Sequence, residues 1–398
     1  MLALVLFGGF VLSLETAIRL TPRLRDLAIR RGWMDAPDGQ RKIHTTPIPN
    51  VGGLAIAAGT LVGLAGFVLV RPWLPESFAV LAPPPLIVLG AVIIALVGFW
   101  DDLRDLHFRI KLVAQIGVAS LVILSGYRID LFGRVLGDGT LDLAVSVFLT
   151  IVWMVGTMNA VNFIDGMDGL AAGSVAIALA GLAGVFLVGG HVEGMILFVA
   201  VMGALLGFLR YNFHPASVFM GDSGSLFIGF LLAAYALRGS AHDHPVLQFA
   251  IPVVAMGLPI LDTGLSIMRR LWRGQSPFHA DREHLHHRVA ALTTHRGAVL
   301  LLYALSAFFA VGAIGMAALR APAALALFGV GTALVVIFLY QLGSLPGAEA
   351  RRPAEVRPHS AARARLPSGD GASEALPPVS SREEAAPSAA EESWSPVS

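Results

Sequence analysis

The sequence predicts an all-α integral membrane protein of about eleven spanning helices, with its N-terminus outside and its C-terminus in the cytoplasm. Three observations carry that expectation. Of the 398 residues, 56% are apolar and only 14% charged, a balance too oily for a soluble domain of this length. Apolar runs of bilayer-spanning length recur along the chain, and lipid leaves a spanning backbone no choice but helix because it satisfies no open strand. Finally, Lys and Arg are concentrated in loops that alternate spanning puts on one side.

The predicted spans are, in order, about 1–18, 51–70, 85–100, 110–127, 142–158, 169–188, 194–211, 224–240, 246–268, 298–318 and 322–342. No positive segment precedes the first run, and Arg19, Arg23, Arg25, Arg30 and Arg31 follow it, the pattern of a first membrane helix rather than a cleaved signal. Alternation then places 19–50, 101–111, 159–168, 212–223 and 269–297 in the cytoplasm. Those loops hold sixteen Lys and Arg, against Arg71, Arg128, Arg134, Arg238 and Arg320 outside. Residues 1–343 form the membrane domain. Beyond them, 344–398 is rich in Ala, Pro, Ser, Glu and Arg, too poor in aliphatic side chains to fold, and is expected to be a disordered cytoplasmic tail.

Four polar islands interrupt this pattern, all on the cytoplasmic face: GFWDDLRDL (98–106), NAVNFIDGMDGLAAG (159–173), FMGDSGS (219–225) and SPFHADREHLHH (276–287). Acidic groups beside hydrocarbon-length segments are expensive to keep and mark function by default. Asp101 or Asp102 shares a helix face with Asp105, and the cations Arg104, Arg109 and Lys111 follow at once, a mixture suited to a site that holds both metal and phosphate. Asn159, Asn162, Asp165 and Asp168 recur every third residue, one slanted stripe of oxygens and amides if helical. With no cysteine in the chain, metal binding falls to Asp, Asn or His, and Asp222 reads as a hard oxygen ligand for Mg²⁺. Gly-Asp-Ser-Gly also occurs around the nucleophile of trypsin-like proteases, but that chemistry needs a soluble β-barrel, not a link between membrane spans. In the last island Arg282, His284, His286, His287 and Arg288 crowd together; three histidines suggest zinc, whereas the flanking arginines favour anion recognition.

Taken in order, RKIHTTPIPNVGG (41–53), DDLRDL, NFIDGMDGLA, GDSGS and HLHH resemble the motifs of the polyprenyl-phosphate N-acetylhexosamine-1-phosphate transferases, glycosyltransferase family 4, over about residues 1–342. The pattern at 284–287 is similar to the His-Ile-His-His of the GlcNAc-1-phosphate branch rather than the all-His triplet of the lipid I synthases. The resemblance implies Mg²⁺-dependent transfer of a sugar-1-phosphate from a UDP-N-acetylhexosamine to polyprenyl phosphate, with release of UMP. UDP-GlcNAc is the expected donor; other UDP-N-acetylhexosamines and UDP-MurNAc-pentapeptide are the alternatives. Mn²⁺ is the expected substitute ion. Asn162 and Asp222 would hold the metal, and Asp101 and Asp102 would serve the lipid phosphate as general base or as positioning groups. Lys42, Asp105, Lys111, Asn159, Asp165, Asp168, Arg282, His284, His286, His287 and Arg288 would bind substrate. The implied partners are the nucleotide sugar, an undecaprenyl or decaprenyl phosphate and membrane lipid, with no nucleic acid and with a homodimer left open. The implied location is the bacterial inner membrane, with the site on its cytoplasmic face and the product entering cell-envelope polysaccharide synthesis. A proton-coupled transporter is the competing class, but its carboxylates belong near mid-span rather than at span ends on one side.

Overall fold

A computed structural model describes residues 1–35, 47–132, 139–190, 192, 194–237, 245–276 and 284–319, with scattered positions from 326 to 337. Twelve α-helices dominate the described residues: α1 (Leu2–Arg31), α2 (Gly52–Val70), α3 (Pro85–Arg104), α4 (Phe108–Leu124), α5 (Thr140–Ile164), α6 (Leu170–Val188), α7 (Met195–Asn212), α8 (Gly221–Ala236), α9 (Pro245–Ala255), α10 (Gly257–Trp272), α11 (Leu285–Ala290) and α12 (His295–Ala318). The protein is an all-α polytopic membrane protein. Residues 344–398, read as a tail, lie outside the described residues.

Among the described residues, seven or eight of the eleven expected spans meet the length and composition of a bilayer crossing. Seven helices, α1, α2 (with a 3-10 turn to Trp73), α3, α5, α6, α7 and α12, are long and apolar enough to cross a bilayer, and the α9–α10 pair makes an eighth if counted as one span. The run at 246–268, read as one span, breaks at Met256 and turns by 89°. Pro252, inside α9, removes a backbone donor just before that break. Runs 110–127 and 224–240 form helices of 17 and 16 residues, at the short end of the spanning range, and the run at 322–342 falls largely outside the described residues. At the other extreme α1 continues through its arginines for 30 residues, until Gly32 adopts φ 71° and returns its N–H to the carbonyls of Ala28 and Ile29.

Helix α8 organises the fold. It packs against α2, α3, α5 and α6, and every residue from Ser223 to Ala236 is buried, as an all-round apolar sequence requires. The N-terminus of α8 is therefore enclosed by other helix ends, and Asp222 lies in its first turn. A small β element, absent from the sequence reading, fixes the approach to this end. Met34–Asp35 pairs antiparallel with Ile48–Pro49. The following residues bridge to the segment before α8, with Phe219 N–H on Pro49 O at 2.9 Å and Gly52 N–H on Phe219 O at 2.9 Å.

Candidate active site

Asp101 and Asp102 occupy the last turn of α3, which ends because Asp105 takes a left-handed φ of 46° and returns its N–H to Asp101 O. The two neighbours have different partners. Asp101 accepts the Leu106 N–H at 2.7 Å on Oδ1 and Lys111 Nζ at 2.9 Å on Oδ2, so one carboxylate ties the α3–α4 turn to the first turn of α4. Asp102 faces α8. It accepts the N–H groups of Asp222 (2.8 Å) and Ser223 (3.1 Å) and the side chain of Asn50 (3.0 Å). A carboxylate there satisfies orphan donors of the helix start and complements its dipole, a cap supplied from another helix. Close packing permits this: a Cβ at Gly98 would collide with the Asp222 carbonyl, and one at Gly221 (φ 73°) would sit 2.6 Å from Asp102 Oδ2.

Lys111 Nζ also reaches Asp222 Oδ2 at 3.1 Å, while Asn162 Nδ2, from the last turn of α5, donates to Asp222 Oδ1 at 2.7 Å and to Ser225 Oγ at 2.8 Å. Islands one, two and three thus converge on Asp222. Asp165, just past the end of α5, is held well above the usual carboxylate range by burial first and then by the charges of Asp222, Asp102 and Asp168. Four aspartates gather here, with Lys111 as the ammonium that touches two of them, while the groups that bring three ligand atoms within 4.8 Å of one another are Asp168–His214–His295 and Asp262–His284–His286.

The rest of the second island is braced from behind. Asp168 accepts His214 Nδ1 at 2.8 Å and the Ala216 N–H at 3.0 Å; His214 stacks on His295 at 4.1 Å. Gly169 N–H donates to Asn212 Oδ1 at 3.0 Å, and Tyr303 Oη donates to Gly169 O. Asn159 turns aside to bond Gln115 (3.0 Å) and the Val155 carbonyl, and Asp105 is an exposed helix cap.

The end of the fourth island docks on the same turn. His284 Nδ1 bonds Asp262 Oδ2 at 3.0 Å, its ring lies 5.9 Å from Phe163, and His286 is buried against Gly166. His287 and Arg288 follow on α11, whereas Lys42 and Arg282 lie outside the described residues. Sequence reasoning missed Asn50, Gln115, His214, Asp262 and His295. Asp262, an acid inside an apolar run, carried a usable signal; the others are ordinary polar residues whose neighbours come from distant parts of the chain.

Comparison with known proteins shows the family. Residues 85–240, which span Asp101 through Ser225, match the model of glycosyl transferase family 4. Over 308 residues, covering 77% of this chain and 83% of the relative, the protein is 37% identical to a probable undecaprenyl-phosphate N-acetylglucosaminyl 1-phosphate transferase of Bacillus subtilis. The chain belongs to glycosyl transferase family 4. Another member, the decaprenyl-phosphate N-acetylglucosaminephosphotransferase of Mycolicibacterium smegmatis, is 37% identical over 73% of this chain and 77% of its own. The undecaprenyl-phosphate alpha-N-acetylglucosaminyl 1-phosphate transferase of Escherichia coli is 29% identical over 73% of this chain and 78% of its own. Within glycosyl transferase family 4, then, similarity extends well beyond the matched 85–240 region.

Proposed function

We propose that this glycosyl transferase family 4 protein transfers GlcNAc-1-phosphate from UDP-GlcNAc to a polyprenyl phosphate at the cytoplasmic face of the bacterial inner membrane. The observation that carries the reading is the convergence of Asp101, Lys111, Asn162 and Asp222 at one end of a bundle of apolar helices. A lipid phosphate oxygen attacks the sugar-bearing phosphorus in line, a new P–O bond forms, and the old anhydride P–O bond breaks to release UMP. One phosphoanhydride replaces another, so the equilibrium lies near balance.

Donor diphosphate and lipid phosphate together bring about three to four negative charges to one point. Asp222 and Asn162 would hold Mg²⁺, which neutralises that charge when bound. Lys111 binds a phosphate oxygen, and Asp101 aims Lys111 and keeps it from collapsing onto Asp222 alone. Asp102 holds the α8 terminus that presents Asp222, a positioning role rather than proton removal, because a phosphate with its second pKa near about 6 is already mostly dianionic at neutral pH. The 165–168 turn and the 276–288 segment read the donor. Exchange of labelled UMP into UDP-GlcNAc, in membranes supplied with polyprenyl phosphate, tests the proposal. Exchange should require lipid phosphate and divalent ion; its absence from active membrane preparations would refute the reading.

A further inference from the structure

Asp262 is the least expected carboxylate in the chain. It sits in α10 just after the 89° bend, is 1% exposed, and lies far in sequence from every acidic motif. An unpaired charge so deep would cost several kcal/mol, and the structure spends both of its oxygens on the fourth island. Oδ1 accepts the Leu285 N–H at the start of α11. Oδ2 takes His284 Nδ1 at 3.0 Å and lies 3.4 Å from His286 Nδ1, a buried nitrogen that faces the acid without a completed hydrogen bond. The opposite edge of His286 points at the second island: a Cβ at Gly166 would stand 2.8 Å from His286 Nε2. The imidazole is thus lodged between a buried acid and the glycine next to Asp165.

A carboxylate only accepts, so the ring nitrogens facing it must carry hydrogen. In a neutral His286 the hydrogen then stays on Nδ1, and Nε2 is left with a lone pair on the Gly166 side. A lone pair there accepts from O–H and N–H groups and offers nothing to a phosphate oxygen. An N-acetylhexosamine supplies such donors in its hydroxyls and its acetamido N–H. We infer that Asp262 is a positioning residue that sets the orientation and tautomer of His286, so that His286 Nε2 reads the N-acetylhexosamine of the nucleotide sugar rather than its phosphates. This rests on the transferase reading above.

Asp262→Asn separates this role from a merely structural one. The Asn carbonyl still accepts the Leu285 N–H, whereas its amide donates to the ring nitrogen and drives the hydrogen to Nε2, so the fold is kept and the tautomer reversed. Carboxylates behind metal-bound histidines are typically worth roughly 10–100-fold, and by analogy the KM for UDP-GlcNAc should rise by that order. KM for polyprenyl phosphate and inhibition by UMP, which carries phosphate and no sugar, should stay at wild-type values. His286→Ala should give the same pattern. The inference is overturned if Asp262→Asn keeps wild-type UDP-GlcNAc kinetics, if UMP inhibition weakens in parallel, or if His286→Ala leaves the KM for UDP-GlcNAc at its wild-type value. Thermal melting of each purified variant identifies a misfolded protein, and Asp262→Glu, which keeps the acceptor, should recover part of the lost affinity in that case. A wild-type protein that fails to turn over UDP-GlcNAc refutes the transferase reading and this inference with it; an active wild type with an indifferent Asp262→Asn refutes this inference alone.

Discussion

At the scale of single residues, the adjacent acids Asp101 and Asp102 do different jobs because successive side chains on a helix point about 100° apart. One meets Lys111 and the other meets the start of α8. Asp102→Asn retains one acceptor oxygen for the Asp222 and Ser223 amides, and the group left unpaired should cost about 1–3 kcal/mol, read as a lower melting temperature. Asp101→Asn should leave the melting temperature closer to wild type and lower turnover instead. Neither defect should be relieved at pH 8.5–9, where a missing general base would matter less as the lipid phosphate completes its ionisation; a clear rescue at high pH would restore the base assignment. Asp222→Asn and Asn162→Ala remove the proposed metal ligands and should each lower turnover by orders of magnitude in protein that still inserts, and a fully active purified variant would end that assignment.

Among the elements, the short α11 with the segment before it is the best candidate for donor choice, since it is pinned by Asp262 on one side and lies on the Gly166 turn on the other. Replacing residues 276–288 with the matching segment of a lipid I synthase should therefore damage UDP-GlcNAc use far more than the KM for lipid phosphate. Sites built on polar contacts discriminate by more than the roughly 10–200-fold available from one methylene. Unchanged UDP-GlcNAc kinetics would move specificity to the 159–168 island. The helices themselves were largely legible in the sequence because hydrocarbon length is a strong, local signal. Their ends were not: hydropathy stops α1 near residue 18, whereas backbone hydrogen bonding carries it to Arg31, and it reads 246–268 as one rod where Pro252 and the break at Met256 make a right angle. The same limit applies to the site. Asp101, Lys111, Asn162 and Asp222 declared themselves as charge or amide beside oil, but the partner of His284 is 22 residues away in α10, and no spacing rule reaches it.

For the whole molecule, the crowding of acids around α8 sets a pH dependence. Asp165 is held above the usual carboxylate range first by burial and then by Asp222, Asp102 and Asp168. An acid whose folded pKa is raised binds its proton more tightly in the folded than in the unfolded state, so its contribution to stability is complete below the unfolded value, near about 3.9, and is lost as pH rises through the raised folded value. Taken alone, this group should make the metal-free protein melt at lower temperature as pH climbs through that window. A divalent ion bound among the same carboxylates offsets their repulsion and competes with the proton. Mg²⁺ at 100 times its Kd should add about 2.7 kcal/mol through binding to the folded state alone, and that gain should be larger at neutral pH than at acidic pH, where protonation of Asp165 competes with the ion. Melting of the purified protein in detergent, with Mg²⁺ or chelator at each pH, measures both slopes. Equal stabilisation by Mg²⁺ at the two pH values would mean that the ion binds away from these aspartates.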